Sequence, residues 1–192
     1  MKEKFIDTSL LDRAIIFAVK AHANTERRGK GMPYIVHPME AVAIASSITD
    51  DQEILAAAAL HDVVEDTGIS ADEIEREFGK RVADLVLDES DITIEGKSET
   101  ASWHERKQFA IDHLKKASHD AKIVAISDKL SNMRTIARDY RHIGDKLWSR
   151  FHTSDPKEHE WHYRGLADSL RELEDTDAFR EFEEKINQVF GK

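Results

Sequence analysis

Residues 54–66 read ILAAAALHDVVED: seven apolar residues, then a histidine, an aspartate and, after two valines, a glutamate–aspartate pair. A helix that is apolar on every side belongs at the centre of a protein. Continued as one helix at ~100° per residue, His61, Glu65, Asp62 and Asp66 fall at about 0, 40, 100 and 140°, with Val63, Leu60 and Val64 at about 200, 260 and 300°. Four ionisable groups then share one face at the end of the most buried helix. That placement costs several kcal/mol unless the groups are paired, solvated in a cleft or bound to a cation. A metal pocket resolves the cost; an amphipathic helix emerging into solvent is the plainer alternative.

Working outward, apolar residues recur at three- and four-residue spacing along most of the chain. With Gly 8 and Pro 3 in 192 residues, there is little to punctuate sheets and turns, so the pattern predicts an all-α protein. Upstream it predicts a helix from about Thr8 to Ala23 with its cap at Asp7 or Thr8, a basic loop at Arg27-Arg28-Gly29-Lys30-Gly31, and a second helix from Pro38 to Ile48 with His37 at its entrance. Downstream, Ser70 and Glu73 form a capping box for a short helix ending at Gly79, and Arg81 to Asp88 forms the next. Glu89 to Ala101 reads as an exposed loop, and Ser102 with Glu105 opens a helix running through Lys116. Asp120 to Asp139 is a long helix. The chain then loosens after Tyr140, before helices over Glu158 to Glu174 and, capped at Thr176, Asp177 to Phe190.

Composition narrows the function. A chain of 192 residues predicts one substantial core, a single domain over 1–192. Lys+Arg total 28 against Asp+Glu 38, a net charge of −10, which disfavours extended contact with a nucleic acid polymer. There is no cysteine, so disulfides, thiolate metal sites and cysteine nucleophiles are excluded, and metal ligation falls to histidine and carboxylate. No apolar run approaches the ~20 residues of a membrane span, and the start lacks the apolar core of a secretory signal. A cytoplasmic protein without a membrane partner is the expectation.

Two further positions bear on the site. The long helix carries Ile123, Val124, Ile126, Leu130 and Met133 as a buried face, yet Asp128 sits in its middle with Asn132 one turn later. Asp128 needs a partner, whether an ion pair or a metal. His37 is either a helix-entry histidine of the core or a ligand.

Taken together, His37, His61-Asp62 and Asp128 stand in the order H…HD…D, which resembles the HD-domain metal-dependent phosphohydrolases. The segments ERRGKGMPYIVHP (26–38), AAALHDVVEDTG (57–68), EFGKRVADLV (77–86) and AISDKLSNMRT (125–135) look like the hydrolase domain of the RelA/SpoT alarmone enzymes, over about residues 10–140, with 141–192 as additional C-terminal helices. The absence of a following synthetase or regulatory region makes a stand-alone small alarmone hydrolase the expected form. The resemblance implies an HD-domain helical bundle with a metal site in the central cleft, where His37, His61, Asp62 and Asp128 hold one Mn²⁺. Two imidazoles and two carboxylates suit Mn²⁺ or another octahedral divalent ion. It also implies hydrolysis of the 3′-pyrophosphate of (p)ppGpp, with Glu65 and Asp66 as the catalytic pair.

Glu65, nearest His61 in helical phase, receives the water-orienting role, and Asp66 a supporting one. For the nucleotide, the basic cluster before His37 offers Arg27 and Lys30 as phosphate counter-charge. Lys129 and Asn132 flank Asp128, and Tyr163 in WHYRGLADSL resembles a nucleotide-contacting tyrosine of the family. Arg134 faces elsewhere and predicts a structural ion pair. The chain reads Ser127-Asp128-Lys129-Leu130-Ser131-Asn132-Met133 where bifunctional relatives read A-D-R-L-H-N-M, so the choice of base stays open. An HD phosphohydrolase acting on pppApp, a nucleoside triphosphate or NADPH is the alternative, and a metal-free HD scaffold is a third reading. The Gly-Tyr-Pro triplet of cyclic-dinucleotide phosphodiesterases is absent.

Overall fold

A computed structural model describes residues 7–27, 31–90 and 94–191. Among them there is no strand, only an isolated antiparallel bridge between Glu26 and Pro33. The chain divides into two compact units, one up to Ser90 and one from Asp91.

The first unit contains α1 (Ser9–Ala21), α2 (Val36–Ala45), α3 (Gln52–Leu60), α4 (Val63–Thr67), α5 (Ala71–Phe78) and α6 (Lys80–Glu89). Helix α3 lies at its centre, packed on α1, α2 and α6, and every residue from Ile54 to Leu60 is buried. The reason is its side-chain size. Ala14 and Ala18 of α1, Ala41 and Ala45 of α2, and Ala56 to Ala59 of α3 are all fully buried, so three backbones approach closely without steric cost. The start of α3 is anchored by Asp51, whose Oδ1 accepts the Glu53 N–H at 2.9 Å. Arg81 of α6 clamps this end, donating to Asp51 Oδ2 at 2.8 Å and to Glu53 Oε2 at 2.6 Å; its guanidinium holds the Asp51 carboxyl below the usual carboxylate range.

The continuous helix predicted through His61 to Asp66 does not form. Helix α3 ends at Leu60, His61 and Asp62 make a turn, and α4 is a separate five-residue helix closed by Gly68 in the left-handed region at φ 76°, a conformation glycine adopts without a Cβ penalty. The angles of a single ideal helix therefore do not carry across His61 and Asp62. The predicted cap at Ser70 is present, with Ser70 Oγ accepting from Glu73 N at 3.2 Å, the serine half of a capping box.

The second unit contains α7 (Trp103–Leu114), α8 (His119–Ile143), α9 (Pro156–Ser169) and α10 (Asp177–Phe190), with 3₁₀ turns at Gly144–Arg150 and Arg171–Leu173. Helix α8 buries Ile123, Val124, Ile126, Leu130 and Met133, the face its periodicity predicts, against α10, which contributes Phe179 and Phe182. Arg134 of α8 forks onto Glu181 of α10 at 2.8 and 2.6 Å, the structural ion pair expected of it. Helices α7 and α9 pack where α9 has Gly165: a Cβ there would lie 2.6 Å from Ile111 Cδ1.

Two local expectations fail here. Ser102 does not cap α7; its hydroxyl donates to the Ser98 carbonyl at 2.8 Å, and Glu105 pairs with Lys97. The stretch after Tyr140 is not loose. Helix α8 continues to Ile143, and the following 3₁₀ turn buries Leu147 and Trp148, the Trp148 ring stacking on His159 and Phe190.

Candidate metal centre

The centre is assembled from three consecutive features of the first unit. The loop between α1 and α2 folds back on itself, Tyr34 N donating to the Thr25 carbonyl at 2.9 Å and Arg27 N to the Met32 carbonyl at 3.0 Å. Glu26 braces it by accepting the Gly31 N–H at 2.7 Å. The loop delivers Tyr34, and one turn later the first turn of α2 delivers His37, which is buried. The α3–α4 turn delivers His61 and Asp62. At that turn, His61 Nδ1 lies 2.9 Å from the Ala58 carbonyl. A carbonyl only accepts, so Nδ1 carries the proton and Nε2 presents its lone pair.

Three donor atoms meet there. His61 Nε2 lies 3.2 Å from His37 Nε2 and 3.0 Å from Asp62 Oδ2, and His37 Nε2 lies 3.4 Å from the same oxygen. The triangle fits a divalent cation. Ligands about 2.1 Å from one octahedral ion sit about 3.0 Å apart when adjacent, which matches these edges. With His37 in the tautomer that protonates Nδ1, the three lone pairs converge and call for positive charge between them, and two imidazoles with a carboxylate are the ligand types a cysteine-free chain has available. The bond from His61 Nδ1 to a backbone carbonyl is the outer support that metal-binding histidines use to fix ring and tautomer.

Tyr34, to which the sequence pattern assigns no role, completes the surroundings. Its hydroxyl donates to Asp62 Oδ2 at 2.6 Å, and its ring stacks on His22 at 4.7 Å between centroids. Burial first, then the charges of Asp62 and Asp66, push the Tyr34 phenol far above its ordinary range, so it remains a donor. The available signal was position: Tyr34 stands three residues before His37, one turn from a candidate ligand. His22 is buried with neither ring nitrogen hydrogen-bonded; burial pulls its pKa down, against the opposing pull of Asp62 and Asp66.

The other predicted residues are placed as follows. Glu65 and Asp66 are exposed in α4, and Asp66 N donates to the Asp62 carbonyl at 2.9 Å. Arg27 lies over the Tyr34 ring, 6.0 Å from its centroid. Lys30 lies outside the described residues. In the second unit Asp128 is buried in α8, its Oδ2 accepting from Lys129 Nζ at 2.6 Å and its Oδ1 from Asn132 Nδ2 at 2.6 Å, so Asp128, Lys129 and Asn132 form one cluster. Tyr163 is buried in α9, its ring against His162 and Phe182.

A His–Asp turn at the end of a buried helix, closed into a donor triangle by a second histidine, defines a metal-binding helical class, and the sequence agrees: a model described as HD domain matches residues 14–152, so the chain belongs to the HD domain family. Its relatives are more specific. Guanosine-3′,5′-bis(diphosphate) 3′-pyrophosphohydrolase MESH1 of Danio rerio is 33% identical over 187 residues, covering 95% of this chain and 93% of the relative. The Homo sapiens protein of the same name is 31% identical over 188 residues, covering 96% and 94%. Among solved structures, a metazoan orthologue of SpoT that hydrolyses ppGpp matches with a TM-score of 0.75 at 25% identity, over 98% of this chain and 100% of that one.

Proposed function

We propose that this protein hydrolyses the 3′-pyrophosphate of guanosine alarmones, taking (p)ppGpp to GDP or GTP plus pyrophosphate, with Mn²⁺ as its ion. The observation that carries the reading is similarity across 95% of the chain to a relative named for this activity, joined to a donor triangle of 3.0–3.4 Å edges. His37, His61 and Asp62 hold the ion, and Asp128 is proposed as the fourth ligand. The family model crosses the boundary between the two compact units, which supports treating 1–192 as one hydrolase domain.

A divalent ion in such a site supplies a Lewis acid and lowers the pKa of water. The chain's own residues do the rest. Glu65 orients the attacking water and accepts its proton, and Asp66, beside the Tyr34 hydroxyl, supports that position. The water oxygen bonds to the phosphorus, the bond from that phosphorus to the 3′-oxygen breaks, and the 3′-oxygen takes the proton that Glu65 accepted and leaves as a hydroxyl. Arg27, Lys30 and Lys129 provide counter-charge for the polyphosphate, Asn132 hydrogen-bonds it, and Tyr163 contacts the nucleoside.

A panel of ppGpp, pppGpp, pppApp and NADPH with Mn²⁺, and with EDTA as control, tests the reading by product analysis. Pyrophosphate from the guanosine tetra- and pentaphosphates, abolished by EDTA and restored best by Mn²⁺, is the expected result. Orthophosphate alone, or turnover confined to pppApp or NADPH, assigns a different HD phosphohydrolase.

A further inference from the structure

We infer that Tyr34 is a positioning residue for the metal centre, holding Asp62 Oδ2 in the donor triangle and itself held by the His22 ring. The inference rests on the metal-dependent reading above and assigns roles to two residues outside the four-ligand set and the catalytic pair. Asp62 is the least enclosed of the three donors, with a side chain 20% exposed against 3% for His37 and 1% for His61. Each imidazole is fixed by packing, and His61 also by the Ala58 carbonyl. Asp62 sits on the α3–α4 turn, at the first residue before a five-residue helix, and its side chain makes no capping bond there. The 2.6 Å bond from Tyr34 falls on the oxygen that faces both imidazoles. A carboxylate oxygen accepts more than one partner, so the phenol fixes Oδ2 while leaving it a lone pair for the ion.

Tyr34 is fixed in turn from both ends. Its N–H is tied to the Thr25 carbonyl at 2.9 Å and its own carbonyl accepts from His37 N at 2.9 Å, so one residue links the loop to the helix that carries His37. Its ring lies on His22, 4.7 Å between centroids and 27° between planes. His22 is 3% exposed and neither ring nitrogen is hydrogen-bonded, so its role here is that of a flat plate and not of a hydrogen-bond partner. Outer supports of this kind commonly set metal affinity by 10–100-fold.

The test is a titration of chelator-stripped protein with Mn²⁺, followed by calorimetry or by electron paramagnetic resonance of free ion, for the wild type, Tyr34→Phe, His22→Ala and His22→Phe. The expected result is a Kd raised about 10-fold or more in Tyr34→Phe, raised in His22→Ala, and returned close to the wild-type value in His22→Phe. With saturating Mn²⁺ the kcat of Tyr34→Phe recovers towards wild type while its KM for the nucleotide stays unchanged. An unchanged Kd with a raised KM overturns the inference by making Tyr34 a substrate contact. Equal weakening in His22→Phe and His22→Ala overturns the plate role, and the His22 pair carries the test if Tyr34→Phe fails to fold. The titration needs no substrate, so a wild type that binds Mn²⁺ but cleaves no alarmone removes the functional reading and leaves this inference standing.

Discussion

At the scale of single residues, the centre separates ion holding from water handling. Asp62 belongs to the donor triangle, so Asp62→Ala is expected to lose bound metal and activity together. Glu65 is exposed in α4 and outside the triangle, so Glu65→Ala is expected to keep the ion and lose about 10²–10⁴-fold in kcat, the usual contribution of a proton-transferring carboxylate. Metal analysis beside steady-state kinetics checks both, and equal metal loss in the two variants contradicts the division. His61 and Asp62 were legible because a histidine and an acid directly after seven buried apolar residues cannot be left unpaired at low cost. Tyr34 was not, because nothing in PYIVHP distinguishes a tyrosine that donates to a distant carboxylate from one that fills a core; the bond spans 28 positions of sequence.

At the scale of elements, periodicity identified α8 and α10 because each buries a face that repeats, whereas α3 was legible as an unbroken apolar run. Periodicity failed at the α3–α4 turn. His61 keeps right-handed helical angles, φ −54° and ψ −36°, while Asp62 has moved to φ −94° and ψ −3°, a small change that the apolar pattern does not register. It failed again at Ser102, where a nearby carbonyl offered its hydroxyl a partner and the cap was lost to it. The Arg134–Glu181 fork between α8 and α10 permits a quantitative prediction. Arg134 holds the Glu181 carboxyl below its usual range, so this contribution is present above the ordinary glutamate pKa and fades as pH falls through the lowered one. The pair is about a third exposed, which screens it, and Arg134→Met is expected to cost about 1 kcal/mol at pH 7. Urea melts of the variant at pH 7 and below pH 4 check this: the difference from wild type shrinks in acid.

At the scale of the whole molecule, the sequence read as all-α, and among the described residues every regular element is an α-helix or a 3₁₀ turn. The burial of Leu147 and Trp148 was hidden because a seven-residue 3₁₀ turn has neither helical nor strand periodicity. Two buried histidines of α9, His159 stacked on Trp148 and His162 against Trp103, are expected to make stability fall in acid. Burial lowers the pKa of His159 and, much more, of His162, so the folded chain declines protons that the unfolded chain accepts. Stability from these groups is complete above about pH 6.5 and falls as pH drops below it, by up to about 1.4 kcal/mol per pH unit for each histidine. Denaturation midpoints of chelator-treated protein from pH 7.5 to 5 are expected to slope accordingly, and His162→Met to flatten the slope; parallel slopes contradict the assignment. The bond from His61 to the Ala58 carbonyl has a consequence for how such a chain diverges. Its acceptor belongs to the peptide backbone, which every amino acid supplies alike, so drift among the side chains of α3 alters their volume while the imidazole keeps the same nitrogen facing its cation.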